Sequence, residues 1–235
     1  MNYLFSLILL LSFSINTNAQ TELFNSFLQD YCTDDGVMSY KGAKENPEDL
    51  TNFIAYLQKT KVQDSWSDNQ EKAFWINAYN AYTIQLILDH YPLKSILDIR
   101  IKGKDAWHHS FAIVGGETYT LNQIEHEILR KKFNDPRIHV GVNCASFSCP
   151  PLFNNAFTEQ NIEMHLESLM HKFVNDKERN IMDAKKVKLS KIFEWYQEDF
   201  VKKGTLVSYL QKYSEVPLNK KTKIRYLEYN WNLNE

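Results

Sequence analysis

The sequence has little of the two residues that dominate turns and low-complexity segments, with 7 glycines and 6 prolines among 235 residues. This scarcity argues against a disordered chain, and no internal repeat is visible. The formal net charge is only −2, which gives no reason to expect nucleic acid or an anionic membrane surface as a partner. Beyond the first residues no segment is apolar enough to cross a bilayer, so no membrane span is expected.

Residues 1–19 have the pattern of a secretory signal peptide. The apolar run Tyr3–Phe13 is too short to span a membrane, and a small-residue cleavage site follows at Ala19. We therefore predict export to the periplasm or to the outside of the cell. Residues 20–235 are then expected to form one domain.

The rest of the sequence mixes helical and strand patterns without regular βαβ alternation. This order predicts an α+β fold of mixed helices with a small, mostly antiparallel sheet. Capping boxes are predicted at Ser67–Gln70 and Thr120–Gln123, and a hairpin turn at Gly115–Gly116. The predicted helices are 23–31, 47–59, 68–90, 121–132, 158–173, 190–201 and 205–213, and the predicted strands are 111–119 (a hairpin), 138–143, 187–189 and 223–231.

The most informative segment is Arg137–Leu152, which is predicted to be a buried strand running into a turn of small residues with two cysteines. Those cysteines, Cys144 and Cys149, are not at the Cys-x-x-Cys spacing of thiol oxidoreductases. Cys32 makes the set odd, and the sequence does not assign a disulfide. Two interpretations stay open: a small Cys144–Cys149 disulfide loop, or Cys144 as a nucleophile.

Polar residues on otherwise apolar helix faces indicate a site. Asn77 and Asn80 fall on the core stripe of the long helix, and buried amides need hydrogen-bond partners. They either tie down an irregular loop or line a cavity. Glu125 lies inside the apolar arc of the next helix, with His126 at its edge. A buried carboxylate needs a partner, either a basic residue or a catalytic group.

These residues suggest a nucleophilic site. Cys144 would attack a carbonyl group, His126 would take its proton, and Glu125 would orient the imidazole. Backbone N–H groups around Ala145 would serve as an oxyanion hole. Asn77 or Asn80 would supply a hydrogen bond. The remaining residues expected at the ligand site are His139, which is predicted to lie on a strand and to face away from the neighbouring valine, Asn143 and Ser146.

A metal site is a weaker interpretation. His108 and His109 are adjacent, which does not match the spacings of closed zinc sites. A hydrolase that uses these histidines with Glu125 therefore ranks below the thiol hypothesis. We expect neither a bound metal nor a cofactor.

Several motifs in a common order resemble the family known as domain of unknown function 547. The resemblance covers roughly residues 45 to 234 and implies that Asn77, Asn80, Glu125, His126, Cys144 and Cys149 are motif positions. The segments that carry it are Phe74–Ala81, Ile124–Arg130, Arg137–Leu152, Leu189–Phe200 and Tyr229–Asn234. A distant kinship with papain-like or transglutaminase-like enzymes would require a rearranged order, because His126 precedes Cys144.

The sequence therefore predicts an exported, cysteine-dependent hydrolase or acyltransferase acting on a peptide, an amide or a small thiol. The alternative is a non-enzymatic binding module of the cell envelope with a structural Cys144–Cys149 disulfide. A small-molecule or peptide ligand is expected, and no oligomeric state is indicated.

Overall fold

The computed structural model describes residues 19–235. The predicted signal peptide, apart from Ala19, lies outside the described residues. About 47% of the chain is helical and 12% is in strands, which confirms the α+β class. The α-helices are α1 (19–31), α2 (Tyr40–Glu45), α3 (Glu48–Lys59), α4 (Asp68–His90), α5 (Ile138–Gly141), α6 (Ile162–Asn175), α7 (Ile192–Trp195), α8 (Gln197–Phe200) and α9 (Leu206–Leu210). A π-helix spans Gln123–Phe133 and a 3₁₀ turn spans Ile96–Asp98.

Helix α4 is the centre of the fold. It has the predicted bounds, and the hydroxyl of Ser67 caps it by accepting from the N–H of Gln70 at 3.1 Å. Nearly every residue from Glu71 to Leu88 is buried, because α2, α3, α6 and the π-helix surround it. A helix that is covered on all sides loses its polar face, so polar side chains within it must find partners among its neighbours.

Between residues 19 and 235 the strands form three separate two-stranded sheets. The first joins β1 (Arg100–Ile101) to β2 (Lys104–Asp105), and the second joins β3 (Ala112–Val114) to β4 (Glu117–Tyr119), both antiparallel. The third pairs β5 (Lys186–Leu189) with β6 (Lys223–Tyr226) in parallel. The predicted hairpin is confirmed.

Gly115 and Gly116 make the β3–β4 turn with φ of +60° and +87°. Such values favour glycine. The N–H groups of both glycines donate to the end of α3, at the carbonyls of Leu57 and Gln58, so the hairpin is fixed to that helix.

The predicted strand at 138–143 is wrong, because the buried run Ile-His-Val-Gly forms the short helix α5. Short apolar runs do not distinguish a buried strand from a buried helix. Here a turn at Asp135 decides: its Oδ1 accepts from the N–H of Arg137 at 3.0 Å, and its carbonyl accepts from the N–H of Ile138. His139 therefore does not face away from Val140 across a strand, and both residues are buried.

The predicted helix 121–132 exists, but most of it is a π-helix. The Thr120–Gln123 capping box is confirmed, with N–H to side-chain distances of 2.9 and 3.0 Å. A π-helix has more residues per turn than an α-helix, is rare, and is frequently found at functional sites. Glu125 and His126 lie in this segment.

Two C-terminal predictions change in ways that shape the site. The single helix predicted at 190–201 is divided into α7 and α8 at Tyr196. The strand predicted at 223–231 ends at Tyr226, and the chain then runs beside the cysteine turn. Phe147 and Ser148 donate to the carbonyls of Asn232 and Asn230 at 2.8 and 3.2 Å.

Within the described part of the chain, no helix has the length and apolar character that a membrane span requires.

Candidate active site

The cysteine turn is held by the side chain of Asn143. Its amide donates to the carbonyl of Pro150 at 2.9 Å, and its oxygen accepts from the N–H of Ala145 at 2.8 Å. Ala145 has a φ of +57°, which is uncommon for a residue other than glycine. Because the N–H of Ala145 is already bonded, it does not point outward as the predicted oxyanion hole would require.

Cys144 and Cys149 are both free thiols, and their sulfur atoms lie 3.0 Å apart. The backbone N–H of Cys144 donates to the Cys149 sulfur at 3.2 Å. Cys149 is buried, whereas Cys144 is partly exposed. Cys144 is therefore the more exposed of the two cysteines.

Two hydroxyl groups complete the surroundings of the Cys144 sulfur. The Oγ of Ser146 lies 3.1 Å from it and the phenol oxygen of Tyr229 lies 3.3 Å from it. These two oxygens are 2.9 Å apart. Hydrogen bonds to an ionised group are stronger than those to a neutral one, so this cluster favours the thiolate of Cys144.

The pKa values of the two thiols are driven apart. The hydrogen bond from Cys149 lowers the pKa of Cys144, burial opposes this, and the hydroxyls of Ser146 and Tyr229 lower it further. Burial and the neighbouring sulfur raise the pKa of Cys149. Burial also raises the pKa of Tyr229, which keeps its proton available for donation. Of the two thiols, Cys144 is therefore the one that ionises first, with its neighbours as hydrogen-bond donors.

Replacing Tyr229 by Phe is expected to raise the pKa of Cys144 and to slow its alkylation at pH 7. Losing one donor to a thiolate costs about 1.4 kcal/mol, or about one pKa unit, which corresponds to roughly a five-fold lower rate. Alkylation by iodoacetamide with peptide mapping measures this. Tyr226→Phe is the matched control, since Tyr226 lies on β6 over Lys191. Equal slowing in both variants would show that the Tyr229 hydroxyl does not stabilise the Cys144 thiolate.

Glu125 is buried and is bound by two phenols. Tyr79 of α4 donates to its Oε2 at 3.0 Å, and the phenol of Tyr196 also hydrogen-bonds to it. Burial and the Glu125 carboxylate raise the pKa of both tyrosines. The charge of Cys144 also raises the pKa of both phenols. Glu125 and its two tyrosine donors are therefore close enough to the thiol to influence its charge.

His126 has different partners from those predicted for it. Arg130 donates from Nη1 to its Nδ1 at 2.7 Å, and its Nε2 lies 4.0 Å from Glu125 Oε1. A guanidinium can only donate, so Nδ1 is unprotonated and the neutral ring carries its proton on Nε2. Burial lowers the pKa of His126, and Arg130 adds to this. No hydrogen bond joins His126 to Cys144 among residues 19–235, so its role as the base of Cys144 stays a prediction.

His139 belongs to a buried ion-pair network that includes Arg130, the partner of His126. Oδ2 of Asp199 lies 2.9 Å from His139 Nε2 and 2.7 Å from Arg130 Nε. Tyr196 stacks on the His139 ring at 4.1 Å, with the Arg130 guanidinium 5.0 Å from its centre. The stacking of the two rings indicates that His139 holds Tyr196 in place. A direct contact between His139 and a ligand stays a prediction.

The two amides of α4 bind backbone groups. Asn80 donates to the carbonyl of Gly141 at 2.8 Å and accepts from the N–H of Asn143 at 2.9 Å. Asn77 makes the same pair of bonds to Phe157, at 2.7 and 3.0 Å. Asn80 thus ties the cysteine turn to the central helix, which is the first of the two roles considered for these amides.

Aromatic rings extend from Tyr229 to the surface. The Tyr229 ring lies 4.8 Å from Trp195 and 4.5 Å from Trp231, and Trp231 lies 5.9 Å from Trp107. Trp195 is 46% exposed. We call these four residues, Tyr229, Trp195, Trp231 and Trp107, the aromatic wall.

A separate cavity of about 780 Å³ is lined by Phe147 and Pro150 of the turn but not by Cys144.

The histidine pair of the metal hypothesis is elsewhere. His108 is exposed and its Nδ1 lies 2.8 Å from Asp105 Oδ1, in the loop after β2. In the part of the chain that the structure describes, no three His, Cys, Asp or Glu side chains are grouped as metal ligands. The residues predicted for that site are not brought together.

Sequence reasoning missed the tyrosines. Tyr79, Tyr196 and Tyr229 come from α4, the α7–α8 junction and the C-terminal segment, and each belongs to a segment that carried the family resemblance. Arg130 and Asp199 also lie in segments that carried the resemblance, Ile124–Arg130 and Leu189–Phe200, and were also missed. The only sequence signal that could have identified these residues as part of the site is their position in the family motifs.

Fold and site together define an α+β protein whose candidate centre is a pair of thiols among phenols. Residues 63–174 match the model of a family described as protein of unknown function, DUF547. This match confirms the resemblance over residues 63–174. This segment contains both cysteines, whereas Tyr196 and Tyr229 lie beyond it. No curated protein and no solved structure matches the chain.

Proposed function

We propose that the chain is a cysteine-dependent hydrolase or acyltransferase with Cys144 as its nucleophile. The observation that carries the proposal is the sulfur of the partly exposed residue Cys144, held within 3.0–3.3 Å of the Cys149 thiol and the hydroxyls of Ser146 and Tyr229. A thiolate stabilised in this way needs no histidine in contact with it before the substrate arrives.

The same hydroxyls suit the transition state. Attack of the Cys144 sulfur on a carbonyl carbon places the developing oxyanion within a bond or two of the sulfur, close to the donors of Ser146 and Tyr229. The hydroxyl pair of Ser146 and Tyr229 gives one proton to the leaving group as its bond to the carbonyl carbon breaks, and a thioester forms on Cys144. Water or an acceptor nucleophile then attacks the thioester and returns its proton to the hydroxyl pair, and Cys144 leaves as the thiolate.

The aromatic wall favours a substrate with an apolar or aromatic acyl group. Its rings begin at Tyr229, whose hydroxyl contacts the Cys144 sulfur, and reach the exposed Trp195. An acyl group bound to Cys144 would lie against these faces. The reacting bond is an ester, an amide or a thioester, which includes peptides and conjugates of small thiols.

The test is acylation with 4-nitrophenyl acetate and 4-nitrophenyl benzoate. We expect one acyl group on the peptide that contains Cys144, released on further incubation, with faster reaction of the benzoate. Cys144→Ser should abolish this labelling. Cys32→Ser should not change it, because Cys32 is buried and burial raises its pKa to about 12. Equal labelling of the wild type and Cys144→Ser would contradict the proposal.

Replacing Glu125 by Gln is expected to make Cys144 more reactive at low pH. The Glu125 charge raises the pKa of Cys144, so a neutral amide should lower that pKa and increase alkylation at pH 6 by about two-fold. Glu127→Gln is the matched control, since Glu127 is exposed two residues further along the π-helix. An unchanged rate in Glu125→Gln would show that this carboxylate does not act on the thiol.

We also propose that the protein is exported, on the strength of the signal-peptide pattern in residues 1–19. Fusing residues 1–25 to alkaline phosphatase, which is active only after export, tests this in a bacterial host. Activity that is lost when the apolar run is interrupted by Lys supports export. Equal activity in the interrupted fusion argues against it.

A further inference from the structure

The acyl-transfer proposal uses Cys149 only as a hydrogen-bond donor, yet its position suits a second kind of chemistry. Its sulfur lies 3.0 Å from that of Cys144 and is itself buried. A reactive thiol at the surface with a second thiol directly behind it can exchange with a disulfide. Cys32 has no such partner, since its thiol donates to the carbonyls of Thr33 and Leu152, both at 3.6 Å.

We propose that Cys144 and Cys149 form a redox-active dithiol that exchanges with small-molecule disulfides. This activity goes beyond acyl transfer and does not depend on it, because it requires only the two sulfur atoms and access to Cys144.

The exchange takes place in two steps. The thiolate of Cys144 attacks one sulfur of a disulfide RSSR; a Cys144–SR bond forms, the S–S bond of the ligand breaks, and RS⁻ leaves and takes up a proton. The Cys149 thiol then loses its proton and attacks the Cys144 sulfur. The Cys144–SR bond breaks, a second RSH leaves, and the Cys144–Cys149 disulfide remains. The two cysteines lose two electrons, and RSSR gains them as two RSH.

The surroundings of the turn restrict what has to move. Bond formation brings the sulfur atoms from 3.0 Å to about 2.05 Å. Asn80 accepts from the N–H of Asn143 at one end of the turn, and Arg179 donates to the carbonyl of Cys149 at 2.8 Å at the other, so the backbone is held at both ends. Disulfide formation then requires only that the two cysteine side chains move, so that their sulfur atoms come about one ångström closer together.

Exposure assigns the order of the two steps. Cys144 is partly exposed and Cys149 is 4% exposed, so an external disulfide meets Cys144 first. A mixed disulfide on Cys144 places its sulfur directly against Cys149. Resolution by Cys149 is then intramolecular and should be faster than the first step.

Incubation of the reduced full-length protein with oxidised glutathione tests the inference. Phe147 lies between the two cysteines, so chymotryptic cleavage after it leaves two peptides that stay joined only by a Cys144–Cys149 disulfide. We expect the wild type to form this crosslink without accumulating a glutathione adduct, and dithiothreitol to reverse it in the folded protein.

The variants separate the two steps. Cys149→Ala should accumulate glutathione on Cys144, and Cys144→Ser should react at least ten-fold more slowly. The inference is overturned if the wild type stops at the Cys144 adduct or does not react, or if the crosslink resists dithiothreitol in the folded state. The wild-type time course decides these points even where a variant fails to fold. A failure of 4-nitrophenyl ester acylation would leave this result unaffected.

Discussion

Replacing Asp199 by Ala is expected to lower the free energy of unfolding by about 3–5 kcal/mol, because it breaks a buried ion pair from one side. The Asp199 carboxylate has an exposed fraction of 9% and accepts from both His139 and Arg130 through one oxygen. Without it, His139 loses its hydrogen-bond partner while 2% exposed. Urea denaturation followed by tryptophan fluorescence measures the change.

Glu198→Ala is the matched control for this variant. Glu198 pairs with the same Arg130 at 2.7 Å, but its side chain is 76% exposed. Exposed pairs contribute less than about 1 kcal/mol, so this variant should be close to the wild type. Equal destabilisation of the two variants would mean that burial of the Asp199 network does not stabilise the fold.

The Asp199 network also has a pH signature. Burial alone would raise the pKa of Asp199, but the hydrogen bonds from His139 and Arg130 outweigh burial and lower it. A carboxyl whose pKa is lower in the folded state stabilises the fold above its ordinary pKa of about 3.9 and loses that contribution as the pH falls below it. The stability difference between wild type and Asp199→Ala should therefore shrink in acid.

Replacing Asn80 by Ala is expected to reduce both stability and Cys144 reactivity. The change leaves the carbonyl of Gly141 and the N–H of Asn143 unpaired in the core, at about 1–3 kcal/mol for each group. Asn143 immediately precedes Cys144 and holds the turn, so its backbone should loosen and the hydrogen bonds to the thiol should weaken. Denaturation and iodoacetamide kinetics on the same preparation measure the two effects.

Asn77→Ala separates stability from reactivity. Asn77 is on the same helix, is equally buried and also makes two backbone hydrogen bonds, but to Phe157 rather than to the cysteine turn. It should lose a similar amount of stability and keep the reactivity of Cys144. If both variants slow alkylation alike, the tie between Asn80 and the turn has no special effect on the thiol.

Local signals in the sequence predict those parts of the fold that local interactions decide. Helix α4 has a capping residue at Ser67 and ends before Pro92, and the β3–β4 hairpin has two glycines in its turn. Residues 138–143 have no such signal, because a short apolar run suits a buried strand and a buried helix equally. The parallel β5–β6 pair joins segments that are far apart along the chain, and no local pattern encodes that pairing.

The site shows the same division. A carboxylate on an apolar arc identifies Glu125 from the sequence, and a turn of small residues identifies Cys144. The phenols of Tyr79, Tyr196 and Tyr229 are brought to them only by the tertiary packing. The assignment of His126 as the base relied on its position next to Glu125, whereas the folded chain turns its Nδ1 to Arg130. Adjacent helix residues point in different directions, which sequence proximity does not reveal.

The most direct test of the central claim, that Cys144 is a thiolate near neutral pH, is its rate of alkylation by iodoacetamide as a function of pH. Peptide mapping distinguishes Cys144 from Cys32 and Cys149. The hydrogen bonds from Cys149, Ser146 and Tyr229 lower the pKa of Cys144 to about 7, so the rate should rise through a midpoint near that pH, with the other two cysteines unlabelled. A midpoint at about 8.5, the value of an ordinary thiol, or faster labelling of another cysteine would contradict it.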